Sequence, residues 1–175
     1  NFMRSYLATL RIDQGRENEA ISLLLESREE VKKTQYGRLI SAFDSLLARA
    51  YWKINEIENA RKYAASAVAA IPANEYPEPV VDAFRVLFEV AEHQADGRLA
   101  LLYHKKYMAA DKAYLNDVGA RQLAFQMAQH QAEASKLQIE TLNQQNQLLQ
   151  LKQDLAAKAV ENSRLYIALL LGFIP

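Results

Sequence analysis

The chain contains no cysteine. Disulfides, thiolate metal sites and cysteine nucleophiles are therefore excluded, and either the cytoplasm or the periplasm remains open. Glycine and proline are scarce, five and four in 175 residues. The glycines stand apart, and no G-x-x-x-x-G-K-[ST] or G-x-G-x-x-G occurs that would cradle a phosphate. There is no H-E-x-x-H, and no serine sits in G-x-S-x-G. Charge of one sign is missing too: 21 basic and 21 acidic side chains give a formal net charge of zero. The signs are interspersed, without the basic stripe of a nucleic-acid binder. The alternating Val, Ile and Thr runs of strands are also absent. What is present is half hydrophobic and rich in Ala, Leu, Gln and Glu, the composition of a packed all-α protein.

Proline and turn residues divide the first part of the chain into six helices, at 2–14, 17–33, 37–54, 57–71, 78–95 and 97–115. The loop from Pro72 to Pro79 is the clearest break, because proline cannot continue a helix and restricts the residue before it. The helices repeat. Leu7, Leu47 and Leu87 line up at intervals of 40 residues, and so do Ala20, Ala60 and Ala100. Each of these alanines follows a polar turn: Gly15-Arg16-Glu17, Asn55-Glu56-Ile57 and Ala95-Asp96-Gly97. Small residues at such places let paired helices approach, while large neighbours fill the gaps.

These positions resemble the tetratricopeptide pattern. Leu47, Ala48, Tyr51, Ala60, Ala64 and Pro72 carry it best, Leu7, Ala8, Gly15 and Ala20 come next, and Leu87, Ala91 and Ala100 follow. The third copy departs at Phe88 and His104, where small or aromatic residues are usual. The resemblance implies an α-solenoid of three helical hairpins over 1–115, with repeats at about 1–36, 37–76 and 77–115. It also implies a concave face lined by the first helix of each hairpin: Phe2, Ser5, Thr9 and Ile12, then Ser45, Arg49, Trp52 and Lys53, then Asp82, Arg85, Glu89 and His93. Arg49, Lys53 and Arg85 would receive a carboxylate or peptide terminus, and Trp52 would anchor an apolar group. With Ser5 and Thr9 in the first repeat, no chaperone-type carboxylate clamp is expected.

Beyond Val118 the sequence becomes rich in glutamine, and no proline appears before Pro175. A long uncapped helix of this kind suggests a coiled coil. One row with alternating spacings of three and four places Leu123, Met127, His130, Leu137, Leu148, Leu151 and Leu155 on the seam. Thr141, Gln144, Lys158 and Asn162 fall on the same row, so pairing is expected to be weak and shiftable. Leu142 and Leu149 lie outside it. The uncharged stretch Leu165–Pro175 is too short to span a bilayer, which takes about 20 residues. With Arg164 and Tyr166 at its start, it is expected to be the beginning of a membrane span cut at Pro175. The organisation expected is thus 1–115, a signalling helix at 116–164 and the start of a span at 165–175.

Two further stretches are similar to bacterial tetratricopeptide sensors. The stretch Leu102–Leu115, with Lys106-Tyr107 and Asp111, is similar to the end of their last repeat. Ala120-Arg121-Gln122-Leu123-Ala124 and Ile139-Glu140-Thr141-Leu142 match the helix that follows. The resemblance implies the periplasmic sensory part of an inner-membrane signalling protein whose output is a diguanylate cyclase (GGDEF) domain, less often a histidine kinase. The partner implied is a peptide or protein, with homodimerisation through the long helix and no nucleic acid. The alternative is a cytoplasmic tetratricopeptide scaffold or peptide receptor. Neither reading makes this chain an enzyme, and no catalytic residue, cofactor or metal is expected. Of the three histidines, His93 is expected in the groove or on the surface, and His104 as a packing residue.

Overall fold

A computed structural model describes residues 2–172. Among the described residues there are six α-helices and no strand: α1 Phe2–Asp13, α2 Glu17–Lys33, α3 Gly37–Lys53, α4 Ile57–Ala69, α5 Glu78–His93 and α6 Gly97–Gly172. The all-α expectation holds. The chain divides into two units, residues 1–120 and 121–175, and α6 has a part in each.

In the first unit, helices end where the backbone turns left-handed. Gly15, Gln35, Asn55 and Ala95 all have positive φ, between 53° and 74°. At three of these ends the same pair of hydrogen bonds closes the helix. The amides of Arg16, Glu56 and Asp96 donate to the carbonyls of Arg11, Tyr51 and Ala91, at 2.8, 2.9 and 3.1 Å. The amides of Gly15, Asn55 and Ala95 donate to Ile12, Trp52 and Glu92, at 3.2, 3.0 and 2.9 Å. This is the Schellman arrangement, which satisfies carbonyls left over at a helix end. Its recurrence at residues 15, 55 and 95 follows the period of the sequence. Helix α4 ends differently, in the proline loop, and α5 restarts with Pro77 as its N-cap.

Neighbouring helices pack in order. Helix α1 meets α2, α2 meets α3, and α3 meets both α4 and α5; α4 also meets α5, and α1 reaches α3. Ala8, Ala20, Ala48, Ala60, Ala64, Ala67 and Ala83 are fully buried between them, with Ile12, Leu24, Phe43 and Leu47 filling the space. Helix α3 approaches the end of α4 so closely that a Cβ on Gly37 would lie 2.3 Å from the Ala70 carbonyl oxygen. Leu47 and Leu87 are buried as expected, but Leu7 is 41% exposed. Helices α2 and α4 cover the faces of α3 and α5, whereas among the described residues no helix precedes α1 to cover Leu7. Pro72, expected to pack between repeats, is exposed in the loop.

The expected end of the sixth helix at residue 115 is corrected, since α6 runs unbroken to Gly172. No proline intervenes, and Gly119 sits in open space. A solvent-facing helical glycine costs only about 1 kcal/mol relative to alanine, too little to stop a helix flanked by good helix formers. From residue 121 to 172 every side chain is exposed. No helix among the described residues is long and apolar enough to cross a membrane. The final residues of the expected span, 173–175, lie outside the described ones.

Candidate functional site

The expected groove residues come together on α1, α3 and α5. Arg49 lies between two acids, 3.6 Å from Asp13 on α1 and 3.6 Å from Asp82 on α5. Asp82 also accepts from Arg85 at 3.1 Å, and Arg85 reaches Glu89 at 3.8 Å. A line of alternating charge, Asp13–Arg49–Asp82–Arg85–Glu89, therefore crosses three helices. At its edge Lys53 donates to the Ile12 carbonyl at 2.9 Å and lies 3.7 Å from Glu17. Trp52 meets His93 edge-on, with ring centroids 5.9 Å apart. Burial raises the Glu89 carboxyl above the ordinary carboxylate range, against the pull of Arg85.

Beside this line lies a groove of about 380 Å³ whose lining includes Ser5, Thr9, Ser45, Arg49 and Asp82, together with Tyr6, Glu78 and Pro79. Five expected residues thus line one groove, while Trp52, Lys53, Arg85, Glu89 and His93, also expected there, are not in its lining. Ile12 does not: it is fully buried, because its position on α1 turns into the core. The Phe2 side chain lies outside the described ones. The three cations Arg49, Lys53 and Arg85 are expected from the resemblance to receive a carboxylate. The structure gives each of them an internal acid, and Asp13 and Glu17, which supply two of these, were missed. An anionic ligand would have to displace them. The groove suits instead a ligand of both signs with polar backbone groups, which hydroxyls and paired charges can meet without leaving a buried charge alone.

The two departures of the third repeat occupy each other's space. Phe88 and His104 lie 5.0 Å apart, tilted by 54°. Where Ala8 and Ala48 are fully buried, the matching Phe88 is half-buried and sets its ring against His104, which is exposed and not the packing residue expected. A cavity of about 550 Å³, with Ala95, Gly97, Ala100 and Leu101 in its lining, opens beside them. His93 and His104 go to different aromatic partners, and among the described residues no group of three or more metal-ligating side chains forms.

A buried polar cluster went unseen in the sequence. Asp44, fully buried on α3, accepts from Arg28 of α2 at 2.7 and 3.1 Å and from the Ser66 hydroxyl of α4. The hydrogen bond to Asp44 raises the Arg28 pKa above its ordinary value, and the guanidinium lies 4.9 Å from the Tyr63 ring. Tyr63 in turn stacks on Tyr51 at 5.5 Å. A lone acid within the apolar stretch Leu39–Leu47 was the available signal. The cluster joins three helices and presents no reactive group to solvent.

In the second unit the seam residues Leu123, Met127, Leu137, Leu148, Leu151 and Leu155 are each more than half exposed. His130 lies 3.8 Å from Glu133, one turn along. Phe125, Ile139, Leu142 and Leu149 form a second exposed row, also compatible with spacings of three and four. At 100° per residue the two rows lie about 150° apart around the helix. Comparison with protein-family models, with curated proteins and with solved structures returned no match.

Proposed function

We propose that this chain is the sensory and interaction part of an inner-membrane signalling protein, built on a tetratricopeptide-like solenoid. A peptide or protein partner occupies the groove of α1, α3 and α5. Its arrival is relayed by α6, paired with a second copy, to an output domain beyond the membrane, a diguanylate cyclase in the closest-fitting architecture. One observation carries the reading: α6 supplies buried residues, Ala100 and Ala110, to the packed unit and also holds all the described residues of the second unit. A helix that presents so many apolar side chains to water calls for a partner.

Charge favours a second, parallel copy as that partner. In the register of Leu123, Met127 and Leu137, the g positions hold Glu133, Glu140, Asp154 and Glu161. In a parallel pair they face Gln138, Gln145, Ala159 and Tyr166, while Gln147 faces Lys152, so no like charges meet. Antiparallel pairing at the matching centre would set Glu133 against Glu161 and Glu140 against Asp154, a repulsion. The alternation of charge in the groove supports a peptide over a simple anion.

The test is a topology reporter fused after Ser163 in the full-length protein. A periplasmic signal is expected, and a cytoplasmic one would overturn the membrane-sensor reading. The groove is tested by Arg49→Glu, which sets a third acid beside Asp13 and Asp82. A partner bound through the groove should lose affinity by about tenfold or more.

A further inference from the structure

A second cavity, of about 370 Å³, shares none of its lining with the groove. It lies between the end of α4, the proline loop, the start of α5 and the first part of α6. Ile71, Val80 and Phe84 are buried hydrophobics in its wall. Lys105 and Lys106 of α6 also line it, and the Lys106 ammonium lies 5.8 Å from the Phe84 ring centroid. Among the described residues neither lysine has an acidic partner. The one acid in the lining, Glu75, is already engaged by Arg38 at 2.9 Å. The result is an apolar pocket under two uncompensated cations, at the small end of the usual size range for ligand sites, roughly 300–1,000 Å³.

We propose that this cavity binds a small amphiphilic monoanion, an aliphatic carboxylate of medium chain length. Its hydrocarbon lies against Ile71, Val80 and Phe84, and its carboxylate rests on Lys105 and Lys106. Burial of the chain supplies affinity, about fourfold for each methylene removed from water. The lysines supply the preference for an anion over an alcohol or an amine. A peptide with an apolar C-terminus offers similar chemistry. Among the described residues, however, there is no strand, so the cavity has no sheet edge along which a peptide main chain could pair. The site is independent of the groove and of which side of a membrane the chain occupies.

The test uses the 175-residue chain titrated with octanoate, octanol and octylamine, followed by calorimetry and amide chemical shifts. Octanoate is expected to bind most tightly and to shift amides within 68–84 and 102–109. Decanoate should bind more tightly than octanoate, and hexanoate more weakly. Replacing both lysines, Lys105→Gln with Lys106→Gln, should weaken octanoate by about tenfold or more and leave octanol unchanged. Both lysines are exposed, so this variant folds as the parent does. Ala109→Trp, at an exposed position in the lining, should abolish binding of both, with helicity checked by circular dichroism. The proposal is overturned if octylamine binds as well as octanoate, or if the lysine variant binds octanoate unchanged. It is also overturned if the shifts map elsewhere, or if only a peptide with a free apolar C-terminus binds.

Discussion

Asp44 is where α2, α3 and α4 converge. Its two oxygens take the Arg28 fork and the Ser66 hydroxyl, so removing Arg28 leaves a fully buried carboxylate without its cation, and removing Asp44 leaves a mostly buried guanidinium without its acid. Asp44→Ala or Arg28→Ala should each destabilise the packed unit by about 3–5 kcal/mol. Arg28→Met with Asp44→Leu should cost clearly less than the sum, and a double-mutant cycle by chemical denaturation checks this. Ser41 is the opposite case. Its hydroxyl is buried with no hydrogen-bond partner among the described residues, so Ser41→Ala should stabilise by about 1 kcal/mol. Glu89 gives the stability of the packed unit a pH dependence. Burial raises its pKa above the ordinary 4.5, so the folded chain holds that proton more tightly than the unfolded one. Its contribution is therefore present in full below the unfolded value and lost as pH rises through the raised folded value. Glu89→Gln should flatten that decline, read as denaturation midpoints from mildly acidic to neutral pH.

The helix ends are the most regular feature at the scale of elements, and also where strain is stored. Ala95 occupies a left-handed C′ position that Gly15 fills without cost in the first repeat. Ala95→Gly should therefore stabilise by about 1 kcal/mol, and Gly15→Ala should destabilise by a similar amount. Gly37→Ala should cost about 1–3 kcal/mol, because the obstruction is the Ala70 backbone and not a side chain that can swing away. Thermal melts read all three. The turns at residues 15, 55 and 95 were legible in the sequence because polar turn residues precede a small residue at a fixed interval. The end of α6 was misplaced because glutamine-rich sequence carries no stop signal, and a tetratricopeptide frame invites one at residue 115. Groove membership was legible for Ser5, Thr9, Ser45, Arg49 and Asp82 only through the resemblance, which implies that the first helix of each hairpin lines the concave face. The ion pairing of that face was not legible. It depends on side chains from three helices separated in sequence by some thirty residues or more, as Asp13, Arg49 and Asp82 are.

For the whole molecule the account rests on α6 pairing with a second copy. The seam carries His130, Thr141, Gln144, Lys158 and Asn162 where leucine would maximise stability, which makes the pair marginal and open to a bias from the groove. Replacing His130 and Gln144 by leucine should lock the dimer and fix output regardless of partner; unchanged oligomeric state and output would remove the relay from the account. The absence of cysteine from these 175 residues suits them to the most direct measurement, run with any cysteine outside them replaced by serine. Single cysteines are placed one at a time from residue 134 to 155 in the full-length protein in its membrane, and disulfide cross-linking between copies is scored under mild oxidation. The account predicts yields that rise and fall every 3–4 residues, with maxima at positions 134, 137, 141, 144, 148, 151 and 155. A flat profile, or none above background, would contradict it.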